Sequence, residues 1–538
     1  MMIRRRFLGS LLASGTLLVL ACAAPASPAP SASEPTGPSG TLTVGIASDI
    51  ISGDFHLATG GGNWPLTTYV PQGLTGTSPA TGELVPMLAT EWKALENGKV
   101  WEFRLRKGVE FHNGEPFTAS AVKYTFERLL DPATKAGTRP QVAPVYDSIE
   151  IVDDYTVRFT LKAPNAIIPT LFGGQAIFPP KYTQSVGAEE FAKRPIGTGP
   201  YKLVGRRPGE VIVLEGFEKF WNTDKKQGPT RSQFKEVIQR IIPEDQTRIA
   251  ALQTKEVGLI VNVPTASVKR LESSPNLKVQ YVSSDQPIAL LINSMAEADP
   301  KTGQPNPFRD KRVRQAVNYA VDVDNIAKKL LTGKERRSTG LGYASLGFDA
   351  SIKPYSYDPP KAKELLAQAG YGNGFTTAIF DPTGRWPGSK EVSEAIGGYL
   401  GAVGIKASVQ PAEYAVVAQN LLEKKLYGLS FWGQSGGPEP VTMLTFFYRS
   451  GSKAVRGVYQ GSPEMDTLLD QALAEVDAEK RAALIKRMHR MYIDDAADLF
   501  LFFNVFAFAH DTTLVRWENT EFETTTGAAP YWALSPAR

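Results

Sequence analysis

The sequence predicts a mixed α/β protein of two or three lobes, and three observations carry that expectation. Alternating apolar runs dominate the first half, apolar stripes at helical spacing dominate the second, and 538 residues are too many for one hydrophobic core.

The elements follow in order. "GTLTVGIAS", Gly40 to Ser48, alternates apolar and polar residues as a strand does. From Val100, Trp101, Phe103 and Leu105 alternate in a second strand, Asn113-Gly114 marks a turn, and Thr118 is placed to cap a helix running to Leu130. "IEIVDDYTVRFTLK", Ile149 to Lys162, reads as a hairpin turning at Asp153-Asp154. "PIGTGPYKLV", Pro195 to Val204, is a glycine-proline turn entering a strand, and "VIVLEG" is another. Later, Val313, Ala316, Val317, Ala320 and Val321 form one helical stripe. "YDPPKAKELLAQAGY" places Asp358 at a cap, Pro359 at the first helical position and Gly370 at the stop. Leu484, Ile485, Met488, Met491 and Tyr492 recur at helical spacing in a further helix. No internal repeat is present, and the mixture indicates an α/β or α+β architecture.

Composition narrows the function classes. An apolar share of 42% and a charged share of 21% are ordinary for a globular chain. A net charge of +4 with no basic run in the body excludes nucleic acid as an expected partner. Arg4, Arg5 and Arg6, the apolar run Phe7 to Ala21 and the single cysteine, Cys22, form an export leader too short to span a bilayer. "VLAC" resembles a bacterial lipobox, which makes Cys22 a lipidation site, and "RRRFLG" resembles a twin-arginine signal, so Sec and twin-arginine export both stay open. The Pro-, Ala- and Ser-rich stretch that follows is a tether, since it has almost no large apolar residue with which to build a core. Cleavage there leaves a body with no cysteine other than Cys22, so disulfides and thiolate metal sites are not expected. The four histidines, His56, His112, His489 and His510, have no metal-binding spacing, and no metal or other cofactor is expected.

Five stretches in order, "WEFRLRKGVEFHNGEPFTASAV", "PIGTGPYKLV", "PFRDKRVRQAVNYAVD", "YDPPKAKELLAQAGY" and "GYLGAVGIKASVQPAEY", resemble the extracytoplasmic solute-binding proteins of ABC importers. The match is to the large class with peptide-, nickel- and oligosaccharide-binding members. The resemblance implies an α/β, type II periplasmic-binding fold: two hinged lobes and an extra α/β domain. It divides the chain into a signal peptide (1–21), lipidated Cys22 with its tether (22–40), lobe I (41–70, 198–288 and 503–538), the extra domain (71–197) and lobe II (289–502). The expected protein is an exported, lipid-anchored monomer at the periplasm or outer cell face. It takes a peptide, oligosaccharide or similar solute to the permease subunits, and it is not an enzyme. Trp101, Phe103, Phe111 and Pro116 are expected to be fold determinants, and His112 a structural turn histidine.

"FWGQSGGPEP", from Phe431, poses a choice. Gly433, Gln434, Ser435, Gly436 and Gly437 match the G-x-S-x-G elbow of serine hydrolases, with Asp495 and His510 in triad order. Pro438 and Pro440 oppose it, because an elbow needs a helix at once and Pro440 would interrupt its first turn. Against the family, the same turn reads as a ligand wall. In peptide-binding members a strand ends in a tryptophan, and an aspartate three positions on holds the peptide ammonium. Here Trp432 matches the tryptophan, but Ser435 stands in place of the aspartate. Serine supplies a hydroxyl without charge, which favours an uncharged or hydroxyl-rich ligand end unless Glu439 or another acid substitutes. Trp432 is then a stacking surface or plain core. Arg385 and Trp386 sit in a Gly/Pro-flanked loop, where Arg385 either grips an anion or is a surface arginine. Tyr414 follows a strand and lines the cleft or packs. Trp64, in "GGGNWPL", closes over the ligand.

Overall fold

The computed structural model describes residues 40–537 except 58–63, 79–80, 225–229, 301, 384, 387, 435–436, 451–456 and 519–528; the Trp64 side chain is also outside the description. The described residues fall within one compact unit, Gly37–Arg538. The leader, Cys22 and the tether lie outside the described residues.

Ten strands form one mixed sheet: β1 (Thr41–Ile46), β2 (Tyr201–Arg207), β3 (Val211–Gly216), β4 (Glu236–Ile241), β5 (Leu259–Ile260), β6 (Leu277–Ile292), β7 (Phe375–Thr383), β8 (Ile405–Glu413), β9 (Leu429–Gly433) and β10 (Asp498–Asp511). Their spatial order is β8-β7-β9-β6-β10-β5-β1-β4-β3-β2. A separate antiparallel sheet of Ala89–Leu95, Val100–Leu105, Thr156–Leu161 and Tyr146–Asp153 carries the helix Ala119–Leu130. Phe103, Phe126, Phe159 and Phe172 meet in the core between them.

Three local signals translate directly into structure. Thr118 is the extended residue before its helix, although its hydroxyl bonds Ser120 rather than a backbone N–H. Asp358 accepts from the Lys361 N–H, and Gly370 closes that helix at φ +86, a left-handed conformation that glycine adopts without strain. Ile149–Asp153 and Thr156–Leu161 pair as the expected hairpin. The stripe through Val321 differs: the helix Lys311–Ala320 ends before it, Val321 is extended, and Asp322 caps a new helix, Val323–Leu330. Val321 is buried all the same, so the apolar periodicity recorded burial across a break in the helix.

The sheet joins separate cores. One gathers buried residues from Ile288 to Phe502 together with Ile167. Another gathers residues of 42–282 and 506–534. β6 and β10 pass from one to the other as antiparallel neighbours. Their register shifts between Ser283 and Pro287, and again between Pro287 and Ala289. Proline donates no ladder hydrogen bond, so the irregularity falls where Pro287 interrupts the strand.

Candidate functional site

β7 is parallel to both β8 and β9, so the three strands deliver their carboxyl ends to one edge. That edge is where open α/β sheets hold ligands. Trp432 is on β9, opposite Ala289 of β6. Trp386 lies in the loop after β7, and Tyr414 follows β8 as the first residue of the helix Tyr414–Leu422. The loop is held from below, where the buried Asp381 accepts from Ser389 Oγ at 3.0 Å and Ser393 Oγ at 2.9 Å, both on the helix Ser389–Ala402.

The aromatic groups make one cluster. Tyr414 stacks on Trp432 with centroids 5.4 Å apart and an interplanar angle of 19°. Trp386 meets Trp432 edge-on at 5.5 Å. The Arg385 guanidinium stands 5.3 Å from the Trp386 ring and 5.7 Å from Tyr414, within cation–π reach of both. Trp432 and Trp386 are buried, whereas Tyr414 and Arg385 are half-buried and form the accessible layer. Arg385 has no ion pair among the described residues.

The acids nearby are already engaged. Glu439 accepts from Arg481 Nε at 2.9 Å with both side chains buried, and burial pushes its carboxyl up. Glu439 therefore does not take the role of the missing aspartate in this arrangement. Asp381 is held by its two serines. Gln434 turns inward, away from the aromatic layer: its Nε2 donates to Tyr448 Oη at 2.7 Å and to Asp498 Oδ2 at 2.8 Å. Tyr448 donates to the same carboxylate oxygen at 2.6 Å. Gln434 thus braces the wall from behind. Ser435 lies outside the described residues.

Full burial raises the Asp498 carboxyl to about 6; Tyr448, Gln434, the Ile292 N–H and the more distant Arg314 oppose that rise. The folded-state value exceeds the ordinary 3.8, so this group adds stability that is complete below 3.8 and lost as pH rises through about 6. The interval corresponds to on the order of 3 kcal/mol. Wild type is expected to gain thermal stability relative to Asp498→Asn between pH 7 and pH 5. A difference in melting temperature that stays flat over that range would contradict the assignment.

The hydrolase constellation does not assemble. Asp495 precedes β10 and is bonded to Arg314 and Tyr459, while His510 is near the other end of the same strand, beside Trp517. An extended strand separates them by roughly 40 Å at ~3.3 Å per residue. The helix after the turn begins only at Val441, beyond Pro440. The histidines have structural partners or surroundings. His112 accepts from the Gly197 N–H and, through Nε2, faces the Gly199 carbonyl, and burial lowers it to about 4. Among the described residues no group of His, Cys, Asp and Glu could hold a metal ion, and no helix is long and apolar enough to cross a membrane.

Two cavities lie elsewhere, one of about 840 Å³ beside Arg194 and Arg206 and one of about 530 Å³ beside Lys202 and Phe217. Several of their charges are already matched, Arg206 to Asp49, Lys202 to Glu215 and Lys219 to Glu110. They are open surface grooves, and the convergence of strand ends makes the Trp432 wall the stronger candidate.

Residues 83–454 match the family model of bacterial extracellular solute-binding proteins, family 5. The chain belongs to this family. Heme-binding protein A of Haemophilus influenzae is 30% identical over 433 residues, 75% of this chain and 76% of the relative. Glutathione-binding protein GsiB of Pectobacterium atrosepticum is 28% identical over 428 residues, 78% and 80% respectively. The Helicobacter pylori ABC transporter-associated periplasmic binding protein DppA, solved with the peptide STSA, superposes with a TM-score of 0.75 at 27% identity, covering 93% of this chain and 98% of that one. This family 5 member therefore has the type II periplasmic-binding fold and is an extracytoplasmic solute-binding protein of ABC import.

The family 5 wall also contains residues that sequence reading passed over. Asp498 opens a strand of fourteen residues, all buried, and an acid at the head of such an apolar run is a readable anomaly. Gln286 directly precedes Pro287 inside an apolar strand, and a proline there signals a bulge whose neighbours can leave the sheet.

Proposed function

We propose that this protein captures a peptide, or another small polar solute with an anionic end, between two lobes and hands it to an ABC permease without chemically changing it. The cores on either side of the β6–β10 register break correspond to the two lobes, and the break is the hinge. Lipidation at Cys22, anchoring at the outer membrane face and a monomeric state belong to the same reading. A ligand that touches both lobes stabilises the closed form by its differential contacts.

The observation that carries the ligand class is Arg385, a half-buried cation over two aromatic rings with no ion pair among the described residues. The relatives favour peptides: one is named for glutathione, and DppA was solved with a peptide. The engaged states of Glu439, Asp381 and Asp498 disfavour an ammonium at this wall, so the anionic end of the ligand is placed here. Oligosaccharide remains the second reading, supported by the aromatic stack and by Ser435 at the aspartate position.

Calorimetric titration with reduced glutathione, Ser-Thr-Ser-Ala and a maltooligosaccharide tests this. The peptides are expected to bind, and Arg385→Gln to weaken them by ~10- to 100-fold, the range of a lost charge-assisted hydrogen bond. Binding of the sugar alone would overturn the peptide reading, and unchanged affinity in the variant would remove Arg385 from the site.

A further inference from the structure

The bulge between the cores presents one side chain to the aromatic wall. Gln286 Oε1 accepts from Trp386 Nε1 at 3.1 Å, across 100 residues of sequence. Its backbone N–H is held by Ser284 Oγ at 2.9 Å, and the neighbouring Pro287 carbonyl accepts from the Gln434 N–H at 2.9 Å. The carboxamide lies beside Gly433, where an added Cβ would come within 2.6 Å of Gln286 Oε1 and 2.8 Å of Trp386 Nε1. The missing side chain at position 433 is what lets the amide reach the indole.

This contact also determines which way the carboxamide faces. An indole nitrogen only donates, so the atom meeting it must be the oxygen. The –NH₂ group then points away from Trp386. Gln286 is half-buried, and its Nε2 makes no hydrogen bond with any described residue, whereas Gln434 Nε2 nearby has two acceptors. A donor so oriented at a ligand wall, with no acceptor among the described residues, is a recognition element, because an acceptor on the solute can complete it and a solute without one leaves it unpaired.

We propose that Gln286 is a specificity-determining residue of the solute site: its Nε2 donates to a carbonyl or carboxylate oxygen of the bound solute, while its Oε1, held by Trp386, keeps the amide aimed. The assignment rests on the peptide reading above. Because Gln286 stands in the bulge between the cores, the bond ties the solute to the segment that must flex when the lobes close.

Two variants separate this role from a structural one. Gln286→Glu keeps an oxygen for the Trp386 N–H but replaces the donor with a second acceptor, whereas Gln286→Leu removes both. Calorimetry with reduced glutathione and Ser-Thr-Ser-Ala is read beside the tryptophan emission and melting temperature of the unliganded proteins. For Gln286→Glu the expected result is affinity at least ~10-fold weaker, with emission and melting as in wild type. For Gln286→Leu the emission shifts as well. Equal affinity in wild type and Gln286→Glu overturns the assignment. So does a loss in Gln286→Glu accompanied by altered emission or melting, which places the effect in the wall instead of the donor. A wild type that binds neither peptide overturns the peptide reading itself, and with it the assignment of this donor to a peptide oxygen.

Discussion

Gly433→Ala is expected to cost at least ~10-fold in solute affinity and to lower the melting temperature, since it leaves a buried donor unpaired at ~1–3 kcal/mol. The effect is steric: Gly433 has no left-handed backbone to lose, but a Cβ at that position would overlap Gln286 and Trp386 together. Gln286 is flexible and can swing aside, which breaks the bond to Trp386 Nε1. Trp386 has less freedom, wedged among Phe431, Trp432 and Tyr414 at 5.8, 5.5 and 6.2 Å. Its N–H would stay buried without a partner, and its ring would tilt against Trp432, on which Tyr414 stacks. Differential scanning fluorimetry and calorimetric titration of the same preparation read both consequences. A variant that melts and binds like wild type would show that the wall tolerates a methyl group, contrary to this geometry.

The largest loss of stability is expected from Arg314→Met. Arg314 is completely buried, and its guanidinium satisfies four acceptors: the Phe308 carbonyl at 2.9 Å, the Arg309 carbonyl at 3.2 Å, the Asp495 carbonyl at 3.0 Å and Asp495 Oδ2 at 2.5 Å. These groups join the start of the helix Lys311–Ala320 to the end of the helix Ala478–Asp494, immediately before β10 enters the core. Methionine fills similar volume but, among the described residues, leaves the carboxylate the Tyr459 hydroxyl alone and takes the side-chain donor from three carbonyls. Breaking one side of a fully buried ion pair costs about 3–5 kcal/mol, and because the Asp495 side chain keeps 28% exposure the loss here is expected toward the lower end of that range. Arg314→Lys is expected to rescue little, because a single ammonium cannot span the geometry of the fork. Chemical denaturation checks this; a lysine variant as stable as wild type would show that charge alone suffices. Because Asp498 and Gln434 follow from the same junction, solute affinity should fall in parallel.

Local chemistry was legible in sequence wherever the cause and the effect lie within a few residues. Asp358, Pro359 and Gly370 bound a helix because a carboxylate, a missing N–H and an absent Cβ each act on adjacent backbone. The prolines after Gln434 hold the start of the following helix back to Val441 by the same short-range sterics, which is incompatible with a nucleophile elbow. The stripe ending at Val321 has the pattern of one helix because burial has the same apolar signature on both sides of a break.

The sequence by itself determined the strand and helix content, the family and the candidate residues Trp432, Trp386, Tyr414 and Arg385 at strand ends. Which of these face outward was decided by tertiary structure: Tyr414 covers Trp432, Gln434 turns to Asp498, Glu439 is taken by Arg481, and Gln286 reaches Trp386 through the space left at Gly433. The reason is physical. Periodicity, capping and turn chemistry act through neighbouring backbone, whereas the partner of a buried donor or charge is set by whichever group the fold brings within about 3 Å, and that group can be a hundred residues away.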